Sequence, residues 1–158
     1  MNTPNTEPSS QGLELYITPQ NSCNLRCDFC CNRHVLDDPN RLSDDVLYRK
    51  LLPLYEKADR IWVIGGEITI LPEMKQYLRF LGENYPAVNL AVVTNGTHFD
   101  EEWQQLCVEF DVAVRWSINA GDESAYERSA RTPDARRIFR KVVGNLLEFD
   151  RMKTDAGK

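Results

Sequence analysis

The chain has 158 residues, of which 42% are hydrophobic and 27% charged, and its formal net charge is -5. This length and composition predict one folded domain with a real core, and the acidic balance argues against general nucleic-acid binding because phosphate contacts need a surplus of Lys and Arg. No apolar stretch approaches the ~20 residues of a membrane span and the first residues lack the regions of a signal peptide, so we expect no membrane partner and a cytoplasmic protein.

The first part of the chain predicts a tail, a strand and a helix. Residues 1–11 are rich in Asn, Thr, Pro and Ser and are expected to be a disordered tail, followed by a domain over residues 12–158. Apolar and polar residues alternate over residues 13–17, as in a strand. Ser43 is then a predicted N-cap of a helix that Pro53 is expected to kink.

Three more strand-and-helix units follow. Apolar runs at residues 61–64, 90–93 and 112–118 predict strands. The helices after them are marked by capping residues and by apolar residues at helical spacing, namely Met74, Tyr77, Leu78 and Leu81; Asp100 with Trp103, Leu106, Cys107 and Phe110; and Thr132 with Pro133, Phe139, Val142, Val143, Leu146 and Phe149. Four such units in a row predict an α/β fold with a parallel sheet, which stays open because a closed eight-unit barrel needs ~250 residues.

Three cysteines follow the first predicted strand with the spacing C-x3-C-x2-C, and they are Cys23, Cys27 and Cys30. Cysteine thiolates are the ligands of iron-sulfur clusters, and a four-iron cluster held by three of them leaves one iron free to bind another molecule. A zinc site is the alternative, because structural zinc takes four ligands and His34 is an available fourth. Cys31 adjoins the third cysteine and Cys107 lies in a helix stripe, so neither is expected to bind metal.

Small and polar residues close the later strands. In chain order they are Gly65, Gly66 and Glu67; Thr94 and Asn95; and Ser117 and Asn119. Ligands bind at the carboxyl ends of strands in open parallel sheets, so we expect these residues to lie at one edge with the cysteines. Strand-end capping is the alternative for each polar residue taken singly.

This ordered set of motifs resembles the radical S-adenosylmethionine (radical SAM) enzymes, over roughly residues 13–150. The resemblance implies a parallel partial (β/α) barrel, which in that family normally has six β/α units and of which about four are expected here. It implies a catalytic 4Fe-4S cluster on Cys23, Cys27 and Cys30. It also implies that S-adenosylmethionine chelates the open iron and is cleaved by one electron to a 5'-deoxyadenosyl radical, which abstracts hydrogen from a substrate.

The same resemblance assigns the cofactor contacts. Two glycines, Gly65 and Gly66, permit close backbone approach, and the Glu67 carboxylate is expected to accept from the cofactor's ammonium group. Ile68 replaces a proline that is frequent in the family, and position 119 is often Asp there. The remaining contacts are expected from the aromatic residue before the last cysteine and from hydroxyl and amide side chains that face the ribose and carboxylate, namely Phe29, Thr94, Asn95, Ser117 and Asn119.

Family members need a reductant such as flavodoxin or ferredoxin and act on peptides, cofactor precursors, nucleotides or other enzymes, so the resemblance leaves the substrate open. The alternatives are a non-catalytic zinc or iron-sulfur module, or an inactive fragment of a longer radical SAM protein, because a fifth strand is expected near Lys158. A fourth strand without a neighbour predicts self-association at the sheet edge. Arg128 and Arg131 are expected to be surface helix charges.

Overall fold

The computed structural model describes residues 12–158, and the predicted tail at residues 1–11 lies outside the described residues. Within that range no helix has both the length and the apolarity to span a bilayer. The chain forms strands β1 Leu13–Ile17, β2 Ala58–Val63, β3 Asn89–Thr94 and β4 Ala113–Trp116, and helices α1 Leu52–Tyr55, α2 Glu73–Asn84, α3 Glu101–Glu109, α4 Glu123–Ala130 and α5 Ala135–Asp155. Short 3-10 turns lie at Arg33–Val35 and Ile68–Ile70, and a π-helical segment at Val46–Lys50.

The strands form one parallel sheet in the order β1-β2-β3-β4, which confirms the predicted open α/β fold of about four units. Ile17 pairs with Val63, which pairs with Val92, and all three are buried on the face that the helices cover. On the opposite face Tyr16 is 60% exposed and stacks on Trp62, with 6.1 Å between the ring centroids. The helices therefore cover one face of the sheet, whereas the continuous apolar run in β2 predicts cover on both.

The main core fills the space between the sheet and the helices. The Tyr55 and Tyr77 side chains are fully buried there, and their hydroxyl oxygens lie 2.6 Å apart. The Tyr55 hydroxyl also donates to the Leu47 carbonyl oxygen over 3.0 Å, so both polar groups are satisfied inside the core. The four predicted core positions of α2 are all buried, and they are Met74, Tyr77, Leu78 and Leu81.

The predicted helix after Ser43 is divided into two segments. The Val46 N–H donates to the Ser43 Oγ over 3.4 Å, at the predicted cap. The π-helical segment Val46–Lys50 follows, and Pro53 lies in the first turn of α1. Proline has no N–H to continue the hydrogen bonding of a helix interior, so the chain starts a new helix there, at the predicted kink.

The sequence prediction gives no bounds or cap for α4, although it expects Arg128 to be a surface helix charge, and it places the last helix after Thr132. Asp122 caps α4 by accepting a hydrogen bond from the Ala125 N–H over 2.8 Å. The prediction of Thr132 as the cap of the last helix is wrong, because α5 begins one residue after Asp134. Arg131 and Asp134 both adopt left-handed backbone conformations, with φ of 44° and 56°. These residues turn the chain between α4 and α5, which pack against each other.

Strand β4 pairs with β3 alone among the described residues and so forms an edge of the sheet. It spans Ala113–Trp116, which is shorter than the strand predicted over residues 112–118. An edge strand presents unpaired backbone N–H and C=O groups to solvent. Self-association at this edge stays a prediction.

Asp100 caps α3, as the sequence predicts, by accepting a hydrogen bond from the Trp103 N–H over 3.0 Å. The Lys75 ammonium donates to the same carboxylate over 3.0 Å. Burial alone would raise the pKa of Asp100, but these two hydrogen bonds outweigh it and hold the pKa below its ordinary value of 3.8. The ionised cap is therefore favoured in the folded protein.

We expect Asp100→Ala to lower the free energy of unfolding at pH 7 by about 1 kcal/mol, the usual cost of losing an N-cap. Because the folded-state pKa is depressed, the contribution of the charge is present above pH 3.8 and is lost as the pH falls below that value. Urea unfolding of wild type, Asp100→Ala and Asp100→Asn across this pH range measures both effects. Asp100→Asn keeps the acceptor oxygen and should retain most of the stability, and equal losses in the two variants would contradict the capping role.

Candidate functional site

One cleft at the carboxyl ends of the four strands brings together all eleven residues that the sequence predicts for the site. They are Cys23, Cys27, Phe29, Cys30, Gly65, Gly66, Glu67, Thr94, Asn95, Ser117 and Asn119. The cysteines come from the loop after β1, and the other positions from the ends of β2, β3 and β4. Four residues outside the prediction also line the cleft, namely Leu25, Cys31, Asn32 and Val93.

The cysteine loop folds back on itself. The Leu25 side chain is 3% exposed and anchors the loop, and the Leu25 N–H donates to the Cys23 sulfur over 3.4 Å. Burial raises the pKa of the Cys23 thiol, although the Leu25 N–H opposes the rise. Burial also raises the pKa of Cys27, to which the neighbouring Cys23 and Cys30 add. Metal binding at these positions therefore releases protons, because thiolates are the coordinating form.

The loop docks on α4 through Asp28. Its N–H donates to the Ser129 carbonyl oxygen over 2.9 Å, and its carboxylate forms ion pairs with Arg33 at 3.0 Å and Arg131 at 2.6 Å. Arg131 thus contacts the cysteine loop, which the sequence does not predict, while the predicted surface residue Arg128 donates to the Ser124 hydroxyl. The ion pairs of Asp28 orient the loop more than they stabilise it, since all three side chains are partly exposed.

Gly65 and Gly66 let the end of β2 approach the cysteine loop closely. Gly65 has a φ of +137°, and a Cβ atom at either glycine would lie within 3.0 Å of backbone carbonyl oxygens of the loop. The Gly66 N–H donates to the Gln20 carbonyl oxygen over 3.2 Å, and the Glu67 N–H donates to that of Ser22 over 2.9 Å. Only glycine combines this backbone conformation with this clearance.

The Glu67 carboxylate joins the ends of β2 and β3. Its side chain is 1% exposed. One oxygen accepts from the Thr69 N–H at 3.0 Å, the Thr69 hydroxyl at 2.6 Å and the Thr94 hydroxyl at 2.8 Å, and the other accepts from the Asn95 N–H at 2.6 Å. The sequence predicts an acceptor for a ligand here, and that contact stays a prediction. The hydrogen bonds that the structure shows for this carboxylate come from the protein itself.

A chain of side-chain hydrogen bonds ties the end of β3 to the cysteine loop. The Asn95 side-chain amide nitrogen donates to the side-chain Oδ1 of Asn24 over 3.0 Å and lies 3.8 Å from the Cys23 sulfur. Asn24 in turn donates to the Thr97 hydroxyl over 2.8 Å. Asn24 and Thr97 are hydrogen-bonded neighbours of Asn95 that the sequence analysis missed, because only the fold brings positions some 70 residues apart into contact.

Three predicted contact residues keep groups available for a ligand. The Ser117 backbone N–H donates to the Thr94 carbonyl oxygen over 2.8 Å, but its hydroxyl has no hydrogen-bond partner within residues 12–158, and neither does the Asn119 side chain. Asn119 has a left-handed φ of 51°. Phe29 is 53% exposed at the cleft. These groups offer a hydroxyl, an amide and an aromatic ring on the cleft wall.

The three thiols that line the cleft are of the ligand type that iron-sulfur clusters use. In the described part of the chain, no group of three or more His, Cys, Asp or Glu side chains is placed to hold one metal ion. A structural zinc site takes four ligands around one point, whereas a cluster offers a separate iron to each cysteine. The type and number of the donors are therefore compatible with a cluster.

Comparisons with known proteins identify relatives of this fold. The profile of the Radical SAM superfamily matches residues 17–143, and no curated protein matches the chain. Native anSMEcpe with bound AdoMet and Cp18Cys peptide has a TM-score of 0.69 and 20% identity, covering 87% of this chain and 40% of that one. SuiB from Streptococcus suis, bound to S-adenosylmethionine, has a TM-score of 0.66 and 16% identity, covering 93% and 32%. BtrN in complex with AdoMet and 2-DOIA has a TM-score of 0.52 and 17% identity, covering 78% and 53%.

These structural likenesses show the shared fold, and the chain spans about 40% of the length of anSMEcpe. The family profile covers most of the chain, from the end of β1 to the first half of α5. It includes the cysteine loop and all four strand ends of the cleft. The chain belongs to the radical SAM superfamily.

Proposed function

We propose that the chain binds a 4Fe-4S cluster through Cys23, Cys27 and Cys30 and S-adenosylmethionine in the same cleft, and that it takes part in radical SAM catalysis. The observation that carries the proposal is the convergence of the cysteine loop and the carboxyl ends of all four strands on one cleft. Family membership and relatives solved with this cofactor support it. Cys23, Cys27 and Cys30 would hold the cluster, which would supply the one electron that reductive cleavage of S-adenosylmethionine requires.

The residues of this chain divide the work of holding the cofactor. Gly65 and Gly66 let the end of β2 lie directly against the cysteine loop, because a Cβ atom at either position would meet carbonyl oxygens of that loop. The unpaired Ser117 hydroxyl and Asn119 amide are suited to the ribose and carboxylate groups. Phe29 offers its exposed ring to the adenine, because stacking needs only an accessible aromatic face.

Glu67 acts on the cofactor mainly by fixing the strand ends. Its carboxylate already accepts four hydrogen bonds from the protein, so its capacity for an added ammonium donor is small. By holding Thr94 and Asn95 against the end of β2, it sets the width of the cleft. We therefore assign the positioning role first and the direct ammonium contact second.

A one-electron donor such as flavodoxin or ferredoxin is the proposed partner. The substrate class stays open, because anSMEcpe was solved with a peptide and BtrN with 2-DOIA on the same kind of fold. This chain covers 40% of anSMEcpe and 53% of BtrN, so the remaining residues of those proteins cannot be compared with it. A peptide, a cofactor precursor and another enzyme are the candidate substrates.

Anaerobic reconstitution with iron and sulfide tests the proposed function. We expect a brown 4Fe-4S species that, on reduction, converts S-adenosylmethionine to 5'-deoxyadenosine and methionine. Single Ala variants of Cys23, Cys27 and Cys30 should lose the iron and the visible absorption, because a three-thiolate site cannot lose a ligand without losing the cluster. Cys31→Ala and Cys107→Ala are matched controls that should keep both. Stoichiometric colourless zinc in place of iron would favour the non-catalytic metal module, and iron loss in Cys31→Ala would overturn the ligand assignment.

Glu67→Ala is expected to lower the free energy of unfolding of the cluster-free protein by on the order of 3 to 5 kcal/mol, since it leaves four buried donors unpaired. Cofactor affinity should fall with it. Urea unfolding and equilibrium binding of S-adenosylmethionine measure the two effects. Glu67→Gln keeps one acceptor oxygen and should be intermediate in both. Full stability in Glu67→Ala with lost affinity would mean that the carboxylate acts on the ligand alone.

Gly66→Ala should displace the cysteine loop, because the added Cβ meets the carbonyl oxygens of Asn21 and Ser22. We expect a loss of about 1 to 3 kcal/mol in stability, typical of overpacking, together with lower iron retention. Gly144→Ala is the matched control, since a Cβ there meets nothing within 4 Å and Ala favours the helix. Iron content per chain after desalting separates the two variants, and equal retention would contradict the close-approach role.

A further inference from the structure

The buried tyrosine of α4 lies beneath the cysteine loop. Tyr126 is 2% exposed, and its ring packs on Phe139 with 5.5 Å between centroids. It belongs to a small apolar cluster against which Cys23 and Cys27 pack, and Leu25 of the same loop lies in this cluster. The ring therefore supports the loop that carries the cysteines.

The Tyr126 hydroxyl is buried and has no hydrogen-bond partner anywhere in residues 12–158. The two other deeply buried tyrosines, Tyr55 and Tyr77, bond to each other. An unpaired hydroxyl in an apolar site is unfavourable. The Tyr126 hydroxyl therefore points to a hydrogen-bond acceptor outside residues 12–158, such as a bound group.

The cysteine loop is the neighbour of Tyr126 on one side. Cys23 and Cys27 pack against the apolar cluster that contains the Tyr126 ring. The Asp28 N–H, next to Cys27, donates to the Ser129 carbonyl oxygen of the same helix over 2.9 Å, which holds this part of the loop against α4. A tyrosine hydroxyl is a hydrogen-bond donor, so a sulfur-bearing group held by this loop is a suitable acceptor.

We propose that the Tyr126 hydroxyl donates a hydrogen bond to a sulfur atom of the cluster site on the Cys27 side, and so raises the reduction potential of the cluster. This inference rests on the proposed function. Hydrogen bonds to the sulfurs are among the factors that set the potential of an iron-sulfur cluster, because they stabilise the more negative, reduced state. In the reduction itself the cluster gains one electron from an external donor such as dithionite, and the tyrosine proton stays on its oxygen.

Tyr126→Phe in the full chain tests the proposal, because it removes the hydroxyl and keeps the ring. After anaerobic reconstitution we expect wild-type iron content and a midpoint potential about 59 mV lower than that of wild type. This shift corresponds to a tenfold smaller equilibrium constant for one-electron reduction. A redox titration read by electron paramagnetic resonance measures this shift. In the cluster-free protein the variant should unfold at the same or a higher urea concentration than wild type, since the hydroxyl has no partner there.

Tyr77→Phe is the matched control. This equally buried tyrosine loses its bond to Tyr55, so the variant should unfold at lower urea concentration and keep the wild-type potential. An unchanged potential in Tyr126→Phe on a fully loaded cluster would overturn the proposal and leave the proposed function standing. A lower stability of cluster-free Tyr126→Phe would also overturn it, because the hydroxyl would then have a partner within the polypeptide. A wild-type chain that takes up no iron would overturn both.

Discussion

A single buried carboxylate holds the site together. Glu67 receives donors from its own turn and from the end of the next strand, and these include the main-chain N–H of Asn95. Parallel strands are hydrogen-bonded along their length, but their carboxyl ends continue into separate loops. The Glu67 carboxylate joins the ends of β2 and β3 at the point where those loops begin. Hydrogen bonds to a carboxylate in a buried site are stronger than those between neutral groups, so the Glu67 carboxylate holds the ends of β2 and β3 together.

The cysteine loop is held from two opposite sides. On one side the glycines after β2 let the loop backbone come into hydrogen-bonding contact with the sheet. On the other side Leu25 packs among residues of α4 and α5, and Asp28 pairs with Arg131. The three cysteines proposed as metal ligands are thus supported by elements that lie about 100 residues further along the chain. This explains why α4 and α5 matter to the site although they contribute none of the predicted ligands.

The sequence predicted which residues meet at the cleft, but it did not predict how these residues bond to one another. All eleven predicted residues line the cleft, because the carboxyl ends of consecutive parallel strands must meet at one edge. The partners of Glu67 and Asn95 were not predicted, since those contacts depend on side-chain direction across strands. The bounds and cap of helix α4 were not predicted either. Its signals were present in the cap at Asp122 and in the i, i+4 spacing of Tyr126 and Ala130, but eight mostly polar residues make a weak pattern.

The sequence by itself determined the order of strands and helices, the open parallel sheet and the residue types that meet at its edge, because these follow from periodicity, glycine placement and motif spacing. Only the tertiary structure decided which polar groups are already satisfied and which are left free. The Glu67 carboxylate is already bonded to the ends of two strands, and the Tyr126 hydroxyl has no partner within residues 12–158. The reason is physical, because burial and hydrogen-bond partners are properties of packed elements far apart in the chain, and local sequence does not encode them.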